Sequence, residues 1–221
     1  MKASEQAYER LRDDILSWRL VPGTALSEIE LAGRLGISRT PLRAALARLT
    51  LEGLVDSSRR TAVVSEVSPD SIIDLFEVRE ALESQAARLA ARRRDPAVFV
   101  ALASRFADAE HTLAASGIDA YYAVVADFDA AVDAAVANPA LRSSLDGLRP
   151  HLVRARRSST DNPARLLRAA DEHRLICEAI AAGDAELAAA ATAVHLHASL
   201  ATITTTLGLV VDSTAPQEGT A

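Results

Sequence analysis

The sequence predicts a mostly α chain in two parts: a short helical segment that ends in a small β-hairpin, then an all-helical bundle. Three observations carry this. Apolar residues recur at helical spacing along nearly the whole chain, as in Ile72, Leu75, Phe76 and Leu82, or Leu166, Leu167, Leu175, Ile176 and Ile180. Five prolines follow a residue suited to capping, in Thr40-Pro41, Ser68-Pro69, Asp95-Pro96, Asn138-Pro139 and Asn162-Pro163, and each reads as a helix start. Residues 54–67 depart from that period: Leu54-Val55-Asp56 and Ala62-Val63-Val64-Ser65-Glu66-Val67 flank the polar tip Ser57-Ser58-Arg59-Arg60, as two short strands would.

A length of 221 residues suits a small domain followed by a larger one. The boundaries are placed at 1–67 and 68–210, with 211–221 as a disordered tail. No run approaches the roughly 18 uncharged apolar residues of a membrane span, and the N-terminus lacks the basic-then-apolar order of a secretion signal, so a cytoplasmic chain without a membrane partner is expected. The single cysteine, Cys177, lies in an apolar helical stretch and is expected to be a core thiol. A net charge of −6 argues at first against nucleic acid, but the charge is uneven. Residues 1–65 hold ten basic against eight acidic residues, whereas the remainder holds fourteen against twenty-two.

Within the first part the order is a helix over about 4–19, a helix over 28–35, a tight turn at Gly36, a helix over 40–52 and the hairpin. Ser27 with Glu30 forms a capping box for the second helix. This is the order of a winged helix-turn-helix, with the hairpin as the wing. In the third helix Leu42, Ala45, Leu46 and Leu49 form an inward stripe, leaving Arg43, Ala44, Ala47 and Arg48 outward, with Arg39 just ahead of the N-terminus. Small residues between arginines let such a face lie close in a major groove, which makes duplex DNA the expected partner.

The string Leu31-Ala32 … Leu35-Gly36-Ile37-Ser38-Arg39-Thr40-Pro41-Leu42-Arg43-Ala44-Ala45-Leu46 … Leu49 … Glu52-Gly53-Leu54-Val55, preceded by Pro22-Gly23 … Leu26, resembles the signature of GntR regulators. That resemblance implies operator contacts from Arg39, Thr40 and Arg43, and minor-groove contacts from Arg59 and Arg60 in the wing. Thr61 stands where the wing tip usually carries glycine. The segments Leu75-Phe76-Glu77-Val78-Arg79-Glu80-Ala81-Leu82-Glu83 and Glu172-His173 … Ala179-Ile180 … Gly183-Asp184 … Ala188 … His195-Leu196 are similar to the FCD sensor domain of the FadR subfamily. A homodimer on a short palindromic operator follows from that likeness, since symmetry in the protein implies symmetry in the site.

Residues 69–208 read as about six amphipathic helices, and bundles place ligand sites between facing helices. If the chain reverses at Gly183, His173 and His195 each stand about 15–18 Å from the turn on adjacent antiparallel helices, and both interrupt apolar stripes. Paired imidazoles suit a divalent ion of the Zn or Ni type, and equally suit two satisfied core histidines. The FCD pattern adds an Asp and a His from an earlier helix; Val125 and Asp129 fall at those positions, with Asp133 one turn on. A metal site of Asp129, His173 and His195 and a purely structural role both stay open. Arg79 shares a face with Phe76 and Leu82, where a guanidinium needs a partner: Glu83 four residues on, or, as the resemblance implies, the carboxylate of a small organic acid effector.

The function expected is therefore a repressor whose operator binding is modulated by a small organic acid, with or without a metal. A metal-dependent enzyme on the bundle lacks a paired general base, a nucleophile with its partner, and a phosphate-binding glycine loop. A DNA-bound dimeric scaffold without effector is the other alternative.

Overall fold

A computed structural model describes residues 2–58, 61–157 and 163–206. Among them are nine helices and one two-stranded sheet, the mostly α class expected. The expected 211–221 tail lies outside the described residues. Packing divides the chain into two units: Met1–Ser71 with Asp146–Arg157, and Ile72–Leu145 with the chain beyond residue 157.

In the first unit, α1 (Ala3–Leu16), α2 (Glu28–Leu35) and α3 (Arg39–Leu51) precede β1 (Val55–Asp56) and β2 (Val63–Val64). Leu11, Ile15, Leu31, Leu42, Leu49, Leu54 and Val64 close one core. Helix α1 stops earlier than its apolar period suggests. The Ser17 hydroxyl donates to the Asp13 carbonyl at 2.6 Å, and Trp18 takes a left-handed φ of 58°. Buried Asp14 then gathers Arg19 at 2.6 Å and Arg34 at 3.1 Å, tying the exit from α1 to the last turn of α2. Ser27 caps α2 by accepting from the Glu30 N–H, and Gly36 ends it at φ 66°.

Two expectations change here. Helix α3 starts at Arg39, so Thr40 is not its cap; Ser38 holds that position, and Pro41 sits within the first turn, where its missing N–H costs nothing. The sheet is also wider than a hairpin: Ala25 bridges Val63, and the Val64 N–H reaches the Thr24 carbonyl at 2.9 Å. The Pro22-to-Leu26 segment thus lies along the outer edge of β2, opposite the antiparallel pairs Val55 with Val64 and Asp56 with Val63.

The other helices are α4 (Pro69–Arg93), α5 (Pro96–Ala107), α6 (Ala109–Val136), α7 (Pro139–Arg157), α8 (Pro163–Ala182) and α9 (Ala185–Thr206). Four of them begin at the prolines read as starts. Asp95 takes the Ala97 N–H, Asn138 takes those of Ala140 and Leu141, and Ser68 exchanges bonds with Ser71. Helix α6 is broken at Gly117, whose φ of 78° and ψ of −175° are non-helical. At Gly183, with φ 80°, a Cβ would meet the Arg94 guanidinium, so the α8–α9 reversal needs glycine there.

The second unit's core joins Ala87, Ala90 and Ala91 of α4, Phe99, Leu102 and Phe106 of α5, Tyr121 and Val124 of α6, Ile176 and Ile180 of α8, and Ala188 and Ala191 of α9. Alanines at the crossings let helices approach closely around a few large side chains. By length and composition α9 could cross a membrane; one face of it, with Ala188, Ala189, Ala191 and Leu196, is buried in the protein. Cys177 is fully buried and its thiol is pushed up to about 12 by burial. We expect no reaction with a thiol reagent at pH 8 in the native protein and one equivalent after denaturation. Fast native labelling would contradict this packing.

Candidate functional site

The inward stripe of α3, Leu42, Ala45, Leu46 and Leu49, is buried as expected, and the opposite face is open. Arg39, Thr40, Arg43 and Ala44 are exposed, with Arg39 and Arg43 side chains 55% and 61% accessible. Neither arginine hangs loosely. The Glu28 carboxylate in the first turn of α2 accepts from Arg39 Nε at 3.1 Å and Nη2 at 2.7 Å, and from Arg43 Nε at 2.9 Å. Bonds from Arg43 and then Arg39 hold the Glu28 carboxyl below its usual range. The periodicity of α3 carried no sign of this clamp, because the acid comes from another helix.

Arg48, also outward in sequence, has a different role. Its guanidinium lies 3.5 Å from the Tyr8 ring centroid and pairs with Glu5 at 3.1 Å and Glu52 at 3.3 Å, while the Tyr8 hydroxyl donates to Glu52 at 2.8 Å. It fastens α1 to α3. Arg59 and Arg60, the expected wing contacts, lie outside the described residues.

Residues 146–157 add the far half of α7 to this unit. His151 Nε2 meets the Glu52 carbonyl at 2.8 Å and must donate, since a carbonyl only accepts. Its ring also lies over Gly53, whose φ is 70°. Burial lowers the His151 pKa, so the neutral ring is favoured. Arg154, almost wholly buried, donates to the Ser65 carbonyl beside β2.

In the second unit the reversal at Gly183 brings His173 and His195 side by side, with ring centroids 4.3 Å apart. His173 is buried, stacked on Phe106 at 4.9 Å and edge-on to Phe128 at 5.3 Å. Its Nδ1–H donates to the Ala169 carbonyl at 2.7 Å, so in the neutral ring the lone pair lies on Nε2. His195 Nδ1 bonds Glu172 at 2.7 Å. Glu172 accepts two bonds from Arg165, at 2.9 and 3.2 Å, and Arg165 also reaches the Ser199 hydroxyl at 3.0 Å. Burial raises the Glu172 pKa against the pull of Arg165. Spacing alone points to the histidines; the Arg165–Glu172 pairing does not show in it, because a seven-residue separation on α8 follows no simple pair rule.

Asp129 is exposed, Asp133 half-buried and Val125 buried. Among the described residues no group of three His, Cys, Asp or Glu side chains is gathered to hold a metal. Arg79 is buried; its Nε donates to Glu83 at 2.7 Å and its guanidinium lies 4.5 Å from the Phe76 ring centroid. The intrahelical pair is thus present.

Comparison with known proteins places these features. The model of the bacterial regulatory protein gntR family matches residues 3–64, and that of the FCD domain residues 74–198. A transcriptional regulator at an unstable DNA locus of Streptomyces ambofaciens is 31% identical, the match covering 86% of this chain and 80% of that one. A probable D-xylose utilization operon repressor of Paenarthrobacter nicotinovorans is 32% identical, over 85% of this chain and 82% of that one. The solved structure of E. coli McbR/YncC shares the fold at TM-score 0.68 and 23% identity, covering 93% of this chain and 98% of that one. These relatives are regulators rather than enzymes. The chain belongs to the gntR family of bacterial regulatory proteins, and residues 74–198 form its FCD domain.

Proposed function

We propose that this regulator is a cytoplasmic homodimeric repressor that binds a short palindromic operator through α3 and releases it when a small organic acid binds the second unit. The observation that carries the DNA half is the exposed pair Arg39 and Arg43 on an otherwise small-residue face. Support for a ligand comes from a polar group set in an apolar core: His173, His195, Glu172 and Arg165 beside Phe106 and Phe128. Arg79 is the proposed clamp for the carboxylate. Its partner Glu83 is 27% exposed and can turn to water when a ligand carboxylate takes its place. The described donor set does not make a three-ligand metal site, so no step is routed through a metal. Dimerisation is supported by apolar side chains left open on α4 and α9, Val78, Leu187 and Val194, beside a groove whose floor of Ala81, Ala190 and Ala193 is joined by Glu77, Glu80, Arg88 and Glu186.

The ligand acts only through its differential affinity for DNA-competent and DNA-incompetent states. A thermal-shift screen of small carboxylic acids tests this. An acid present at about 100 times its Kd stabilises by ~2.7 kcal/mol, and the same acid is expected to release bound duplex. Arg79→Gln should remove both effects. A panel in which no acid shifts the melting or the DNA affinity would favour the effector-free scaffold.

A further inference from the structure

Resting on the DNA-binding reading of α3, we propose that Glu28 is a positioning residue for sequence recognition, holding the Arg39 and Arg43 guanidinium groups by their inner edges so that their outer edges face the bases. One carboxylate takes both arginines. Oε2 accepts from Arg39 Nε and Nη2 and from Arg43 Nε, while Oε1 accepts from Arg43 Nε at 2.9 Å. A guanidinium has five N–H donors in a rigid fork. With Nε committed to Glu28, the terminal nitrogens of Arg43 and Nη1 of Arg39 have no acceptor among the described residues. That terminal edge is the one that reads guanine O6 and N7 as a pair.

Side-chain ordering strengthens the case. An unrestrained arginine loses rotamer freedom when it meets a base, and a partner that has already ordered it reduces that loss. Glu28 is itself well placed for this, because it stands in the first turn of α2 behind the Ser27 cap and only 28% of its side chain is exposed. A carboxylate this close to the phosphates also weakens attraction to any duplex. Glu28 therefore trades general affinity for discrimination.

The experiment selects from a randomised duplex library with the full-length protein. It then compares affinity for the enriched sequence and for a scrambled duplex in wild type, Glu28→Gln and Glu28→Asp. Glu28→Gln removes the charge; Glu28→Asp keeps the charge and loses the reach to span two arginines. We expect the ratio of enriched to scrambled affinity to fall roughly tenfold in both variants, with scrambled-duplex binding strengthened a few-fold only in Glu28→Gln. An unchanged ratio in both variants would mean that Glu28 is background charge and would overturn the proposal. A ratio that rises would also overturn it, since Glu28 would then be masking the arginines. Should the wild type enrich no sequence, the DNA reading of α3 itself fails and takes this proposal with it. Circular dichroism melts of the variants confirm that the fold is kept.

Discussion

Arg43→Ala is expected to lower affinity for the enriched duplex by about 10- to 100-fold per protomer while leaving the melting temperature within a degree or two of wild type. The size follows from a bidentate base contact, worth about 1–3 kcal/mol of discrimination. In the proposed homodimer two symmetric copies compound it. The stability side follows from burial, since the Arg43 side chain is 61% exposed and its partner Glu28 keeps Arg39. Arg48→Ala is the matching control. Arg48 braces Tyr8, Glu5 and Glu52, so its loss should weaken the fold modestly and leave sequence preference intact. Equal loss of preference in both variants, read by competition against scrambled duplex, would detach specificity from the outward face of α3.

Arg165→Met should produce the largest loss of stability among single polar substitutions in the second unit. Arg165 and Glu172 are 10% and 20% exposed, and removing the guanidinium leaves the mostly buried carboxylate with the His195 ring to hold it. Breaking such a pair costs about 3–5 kcal/mol, equivalent to roughly 6–20 °C in Tm for a chain of this size. The pH dependence has a definite sign. Glu172 already titrates above its ordinary value through burial, and loss of the guanidinium raises it further. The folded state then binds a proton more tightly than the unfolded chain, so its stability is greatest in acid and is lost as pH rises through the folded value. The Arg165→Met melt should lie closer to wild type at pH 5 than at pH 8. Adding Glu172→Leu should recover most of the loss; no recovery in the double variant would show that Arg165 acts by packing and not by charge.

The parts of this architecture that sequence reveals are those encoded locally. Asp95, Asn138 and Ser68 announce helix starts because capping needs one side chain and a neighbouring N–H. Gly183 places His173 beside His195 because a reversal between two helices fixes the heights of residues on either side. What escaped notice depends on contacts made across the fold. Trp18 and Ala137 adopt positive φ although nothing in their residue type favours it. Glu28 reads as one more acid in the first turn of a helix until α3 is laid beside it. Asp129 falls at a ligand position by register alone, and register along one helix does not specify what the facing helices bring.

The far half of α7 makes the DNA-reading unit discontinuous along the chain, with Ile72–Leu145 intervening between its two pieces. A gene fragment ending at Ser71 would thus encode an incomplete reading head, with the Glu52 and Ser65 carbonyls stripped of His151 and Arg154. A transplantable version calls for residues 146–157 to be grafted back, for instance through a short tether.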